Sequence, residues 1–222
     1  MTASVIIRTF NEGKHIGKDS RLIMYRGGKV LRKKDGFYSK YQVFGKLPPY
    51  KTTRTDIAFL IKRRIIKWNS LLEKIKMKEK VRYKSPLMIS WNPVKINYHG
   101  TIEQRGMDMN HPVNIVGASA LIKVILQKVY EEFYHIIPSD IGMTEPFKRE
   151  DNIIYVPPHT HVRNKLQVWS AYEGLENKKV HTYCKKLLKL ALTLSEPEKK
   201  NRLNSFKKMI EEKKTVSDEI MD

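Results

Sequence analysis

The sequence predicts a mixed α+β protein with a basic N-terminal β-meander and long basic helix, a small hairpin-and-helix core and a helical C-terminal tail. Three observations carry this expectation. Apolar residues recur at spacings of three and four in several long segments, which places them on single helix faces. Gly27-Gly28 and Asp35-Gly36 punctuate short runs rich in β-branched and aromatic residues, the pattern of tight hairpins. Positive charge is concentrated before residue 85, which leaves a neutral middle able to pack.

Along the chain, residues 3–10 (ASVIIRTF) read as a short strand. Runs 21–26 and 29–33 flank Gly27-Gly28, and Phe37 to Phe44 follow Asp35-Gly36, giving a meander over roughly 20–45. Pro48-Pro49 marks a linker. Asp56 is expected to cap a helix running to about Lys80, with Ile57, Ile61, Ile65, Trp68, Leu72 and Ile75 on one face. Residues 87–91 and 94–98 read as a hairpin through Asn92-Pro93, with 100–105 as a third strand. A core helix is expected from Pro112 or Asn114 to Ile137, burying Ala118, Leu121, Ile125, Val129 and Phe133 and stopped by Pro138. Residues 153–156 and 165–171 are strand candidates. Lys178 to Leu194 forms a helix burying Val180, Leu187, Leu188 and Ala191. Ser195-Glu196-Pro197-Glu198 begins another, by a capping box with Pro in the first turn, and the last eight residues are expected to be disordered.

Composition narrows the class of protein. With 41% hydrophobic residues among 222, the chain can bury a core. Every long apolar stretch is broken by polar groups, so no membrane span of roughly 18 to 20 residues is expected. Cys184 is the single cysteine, which excludes an internal disulfide and points to a reducing, intracellular setting: cytoplasm, mitochondrion or virion. The opening MTASVIIRTF lacks the apolar core of a signal peptide, and Glu12 and Asp19 interrupt any mitochondrial presequence.

Charge divides the chain into three regions. Residues 1–84 carry 23 basic and 6 acidic side chains, the basic N-terminal region. Residues 85–177 carry 8 and 10, the neutral α+β core, and residues 178–222 carry 12 and 7, the basic helical tail. The total of +20 bears on partners and not on fold. Arg26, Lys29, Arg32, Lys33 and Lys34 in the meander, and Lys62, Arg63, Arg64 and Lys67 in the first long helix, are the candidate nucleic-acid contacts. Glu73 and Glu79 are too few to neutralise that helix's cations. Tyr25, Phe37, Tyr38, Tyr41, Phe44 and Tyr50 lie among the N-terminal cations, an interleaving that suits base stacking beside phosphate neutralisation. The expectation is a non-enzymatic structural protein of ribosomal or organellar-ribosomal type, which binds RNA or a nucleoprotein among other subunits of an assembly and needs no cofactor.

Other chemistries leave smaller traces. Ser4 to Glu12 (SVIIRTFNE) resembles the first strand and turn of family-2 glycosyltransferases, in which that strand approaches a nucleotide sugar. That family's Asp-x-Asp metal motif occurs nowhere in this chain, and a basic hairpin follows in place of its first helix. Leu47 to Lys51 (LPPYK) resembles the Pro-Pro-x-Tyr budding motif of viral matrix proteins, with the tyrosine one place early. That resemblance implies a protein bridging a nucleocapsid and an anionic membrane surface. A metal-dependent alternative rests on His159, His161, His181 and Cys184, whose spacings of two and three suit one face of a strand and one of a helix.

Overall fold

The structure, a computed structural model, describes residues 7–8, 15–17, 44–89, 92–105, 107 and 110–221. The chain is mixed α+β. It forms two compact units: one spans residues 24–106, the other combines 1–23 with 107–222. Strands β1 (Ile7–Arg8) and β2 (His15–Gly17) of the latter pair antiparallel with an irregular register. The expected meander lies outside the described residues up to Val43.

The unit of residues 24–106 is built on helix α1 (Arg54–Lys74). The Thr53 hydroxyl accepts from the Asp56 N–H at 3.0 Å and donates to the Asp56 carboxylate at 2.9 Å. Thr53, and not Asp56, is therefore the N-cap, and the Asp56 carboxylate holds the capping hydroxyl from inside the first turn. The helix stops six residues before the expected Lys80, because Lys76 takes a left-handed conformation at φ 55°. Its N–H donates to Glu73 O and that of Met77 to Leu72 O, a Schellman ending with lysine where glycine is usual. Phe44 packs edge-on against Trp68 at 5.4 Å, over buried Leu71 and Leu72.

The second hairpin is displaced from its expected place. Residues Pro86–Ile89 form a 3-10 turn rather than a strand; the Ser85 hydroxyl accepts from the Leu87 N–H, a local bond that competes with a sheet. The hairpin pairs β3 (Val94–Ile96) with β4 (Ile102–Gln104), Lys95 opposite Glu103. The Asn97 side chain accepts from His99 and Thr101 N–H groups in its turn, and Gly100 supplies φ 80°.

In the other unit, α2 (Pro112–Glu131) begins with proline in its first turn. Phe133 turns left-handed at φ 53° and is exposed, and His135–Pro138 leaves the helix as β5. Two isoleucines before a proline favour extended backbone, which overrides the helical spacing read there. Of the expected buried face, Ala118 and Leu121 are buried. The outer side, with Val113, Val116, Leu126 and Tyr130, is exposed. By length and composition α2 is long and apolar enough to cross a membrane, although no such segment was expected.

After α3 (Asp140–Thr144), capped by Ser139, come β6 (Arg149–Glu150) and β7 (Ile153–Val156). The sheet order is β5-β7-β6, with β5 parallel and β6 antiparallel to β7. Gly142 is required here, since a Cβ would come within 2.1 Å of Val156 O. Residues 165–171, expected as a strand, are helical: a helical turn at His159–His161 and a π-turn at Val162–Leu166 lead into α4 (Gln167–Glu173). Burial falls on Leu166, Ala171 and Leu175, a helical and not an alternating pattern.

Helix α5 (Lys178–Leu194) has the expected bounds and is capped by Asn177, which accepts from Lys179 and Val180 N–H groups. It buries Val180, Leu188 and Ala191 as expected, with Leu187 half-buried, and adds Cys184. The capping-box segment opens as a 3-10 helix, Pro197–Leu203, before α6 (Asn204–Glu212). Phe206 of α6 fills the main core beside Gly117, whose missing Cβ lets α2 approach Arg202 O. Against expectation, the tail is helical from Val216 to Met221. Helix α7 (Val216–Met221) buries Val216 and Ser217, and Asp218 accepts from both the N–H and the hydroxyl of Thr215 at 2.8 Å. That is a capping box anchoring the chain end.

Candidate nucleic-acid interface

Of the sequence candidates, Arg26, Lys29, Arg32, Lys33 and Lys34 lie outside the described residues. Lys62, Arg63 and Lys67 are exposed on α1. Arg63 and Lys67 are one turn apart, and Lys62 sits beside them, so the three cations share a side of the helix. Among the described residues none of the three is within ion-pair distance of a carboxylate. Glu73, near the end of the helix, is met at 2.6 Å by Lys78 from beyond it, and the Lys78 ammonium pKa is raised by that hydrogen bond. Among the described residues the cationic face is thus uncompensated.

Phe59 stands three and four residues before Lys62 and Arg63 and is 61% exposed; Ile66, beside Lys67, is also exposed. An exposed ring within a helical turn of two cations is the arrangement that stacks a base while its phosphate is neutralised. The sequence expectation placed such interleaving in the meander and passed over Phe59. Its signal was legible: Phe59 lies off the Ile57, Ile61, Ile65 stripe, so a helix that packs on that stripe leaves the ring outside.

Arg64 is a correction. It is only 7% exposed, sharing a helix side with Trp68, Leu71 and Leu72, so the buried stripe is rotated from the expected one. With Ile61 it meets Leu87, Ile89 and Lys95 around a small cleft. Burial lowers its pKa, and among the described residues its Nε has no hydrogen-bond partner. Lys95 is placed similarly, its pKa lowered by burial against the opposing pull of Glu103 at 3.7 Å. Arg64 spends its long stem as packing, and its charge is a cost of that position. It belongs to the scaffold of α1, not to its outer face.

Of the four His and Cys candidates, His159 and His161 are half-buried on one helical turn, and His181 and Cys184 lie on α5. The His181 ring lies 2.8 Å from Ile210 O through Nε2, a hydrogen bond that ties α5 to α6. His161 packs against the Trp169 ring, and burial lowers its pKa. Cys184 is buried in the main core, where desolvation pushes its thiol pKa up. Among the described residues no three His, Cys, Asp or Glu side chains are grouped to hold a metal ion.

Charge also follows the compact units. Residues 24–106 hold 21 basic and 5 acidic side chains, so +16 of the total +20 belongs to that unit. No family model, curated protein or solved structure matches the chain. What α1 offers chemically is charge neutralisation and a flat apolar surface.

Proposed function

We propose that the protein is a non-enzymatic, basic structural subunit that binds RNA or a ribonucleoprotein within a larger assembly, of ribosomal or organellar-ribosomal type. The observation that carries this reading is the +16 on one compact unit, whose helix α1 presents Lys62, Arg63 and Lys67 without acidic partners among the described residues. A phosphate backbone supplies the missing anions, and association releases its condensed counterions. Backbone contacts of this kind position a strand without reading its sequence. Titration of the purified protein into labelled single-stranded RNA at a series of salt concentrations tests the reading. The expected outcome is a linear fall of log affinity with log salt, similar for unrelated sequences. Affinity that stays flat as salt rises would sink it.

A second reading has its own observation. The exposed Val113, Val116, Leu126 and Tyr130 of α2, on a chain of net +20, suit an anionic membrane surface, as in a matrix-type protein bridging a nucleocapsid and a bilayer. Flotation with vesicles rich in phosphatidylserine separates the two. Retention in the bottom fraction, together with salt-sensitive RNA binding, removes the membrane reading.

A further inference from the structure

A second cationic site lies in the other unit. Lys148 and Arg149, at the start of β6, face Lys186 and Lys189 of α5 across a cleft of about 250 Å³. Phe147 and Leu190 line it as apolar surface. The four cations do not have equal freedom. Lys148 is held by Glu150 at 3.0 Å and Glu145 at 3.9 Å. Arg149 is oriented by Tyr134, whose hydroxyl accepts from Nη1 at 3.1 Å and whose ring centre lies 5.9 Å from the guanidinium. That partner fixes the arginine without neutralising it. Lys186 and Lys189 are exposed, one turn apart, and among the described residues meet no carboxylate. Glu145 also lines the cleft, on the side of Lys148, while Arg149, Lys186 and Lys189 meet no carboxylate within ion-pair distance among the described residues.

The floor adds the second half of the specificity. Phe147 has a left-handed backbone at φ 63°, a conformation rare for a bulky residue, and its half-buried ring meets Tyr183 edge-on at 4.9 Å. The turn thus holds a flat ring within the cationic rim. The volume lies just below the roughly 300–1,000 Å³ of ordinary small-molecule pockets, so the ligand is small. Arginine with its plane fixed, and two lysines on one helical turn, match the several oxygens of a phosphate better than a single carboxylate.

We infer that this cleft binds a nucleoside phosphate, with the phosphate against Arg149, Lys186 and Lys189 and the base against Phe147. The inference goes beyond RNA binding by α1, since it concerns different residues in the other unit. The ligand's two possible sources, a free nucleotide and the end of a strand, share this chemistry.

Calorimetric titration of the full chain with AMP, adenosine and inorganic phosphate is the test. AMP is expected to bind more tightly than about 1 mM, with adenosine and phosphate each at least about tenfold weaker. K186E/K189E should weaken AMP at least about tenfold by reversing two rim charges, with the far-UV spectrum unchanged. R149Q should weaken AMP as well, and Phe147→Leu should weaken AMP while sparing phosphate. A 5′-phosphorylated oligonucleotide that competes with AMP assigns the site to a strand end; AMP binding without competition assigns it to a free nucleotide. AMP weaker than about 1 mM, or unaffected by K186E/K189E, overturns the inference. An unsubstituted chain that binds RNA through α1 but does not bind AMP would overturn this site alone.

Discussion

Arg63 and Arg64 are neighbours in sequence with opposite surroundings, and their substitution gives the sharpest test of α1. Lys62, Arg63 and Lys67 are exposed and free of carboxylates among the described residues, so each is available to one phosphate. For a single strand each neutralised phosphate contributes a slope of about −0.7 in log affinity against log salt. Between 1 M and 0.1 M salt that is about 0.7 decade per contact, so replacing all three by alanine should cost about 100-fold at 0.1 M. The loss should vanish near 1 M, and the slope should become shallower by about 2. Arg64→Met removes the same formal charge from a buried place and should leave the slope unchanged. Its effect on stability should be neutral or favourable, because a methionine fills the site without a desolvated charge. Fluorescence anisotropy of a labelled oligonucleotide over a salt series reads both variants, with circular dichroism as the folding control. The reasoning fails if the triple variant keeps the parental slope, or if Arg64→Met flattens it as much as an exposed substitution does.

Three further expectations concern the scaffold. Asp218→Ala strands the buried N–H and hydroxyl of Thr215 and should cost about 2 kcal/mol in urea unfolding; an indistinguishable midpoint would mean that α7 does not anchor the chain end. Gly142→Ala should cost about 3 kcal/mol, because its Cβ collides with the backbone of β7, whereas Gly100→Ala, with open space around it, should cost only about 1 kcal/mol for its left-handed φ. Equal losses in thermal denaturation would refute that distinction. Cys184, with its thiol buried and its pKa raised, should react with iodoacetamide far more slowly in the native protein than in urea; equal rates by mass spectrometry would show that the main core opens freely.

The elements read most faithfully are those with local, redundant signals. Lys178–Leu194 has a cap, a stripe and a stop, and its bounds agree with expectation. The misreadings share a cause: they extend a periodicity past a point where backbone chemistry changes. Ile136 and Ile137 continue the spacing of α2 but precede a proline, and parallel pairing with Ile154 and Tyr155 satisfies their backbone as a strand. Lys76 ends α1 by adopting the left-handed conformation that a sequence reader expects of glycine. Thr215 and Asp218 formed a legible capping box, overlooked among the charges of the tail.

The sequence by itself determined the α+β class, the single thiol and the net charge, since these depend on residue types and near-neighbour spacing. Tertiary structure alone decided which cations face water. Arg63 and Arg64 are the same residue type one step apart, but a rotation of about 100° per residue sends one outward and the other against Leu87 and Ile89. It also brought Lys148 and Arg149 to Lys186 and Lys189 across nearly forty residues of chain. Such a juxtaposition is set by how β6 and α5 pack, and no local spacing records it.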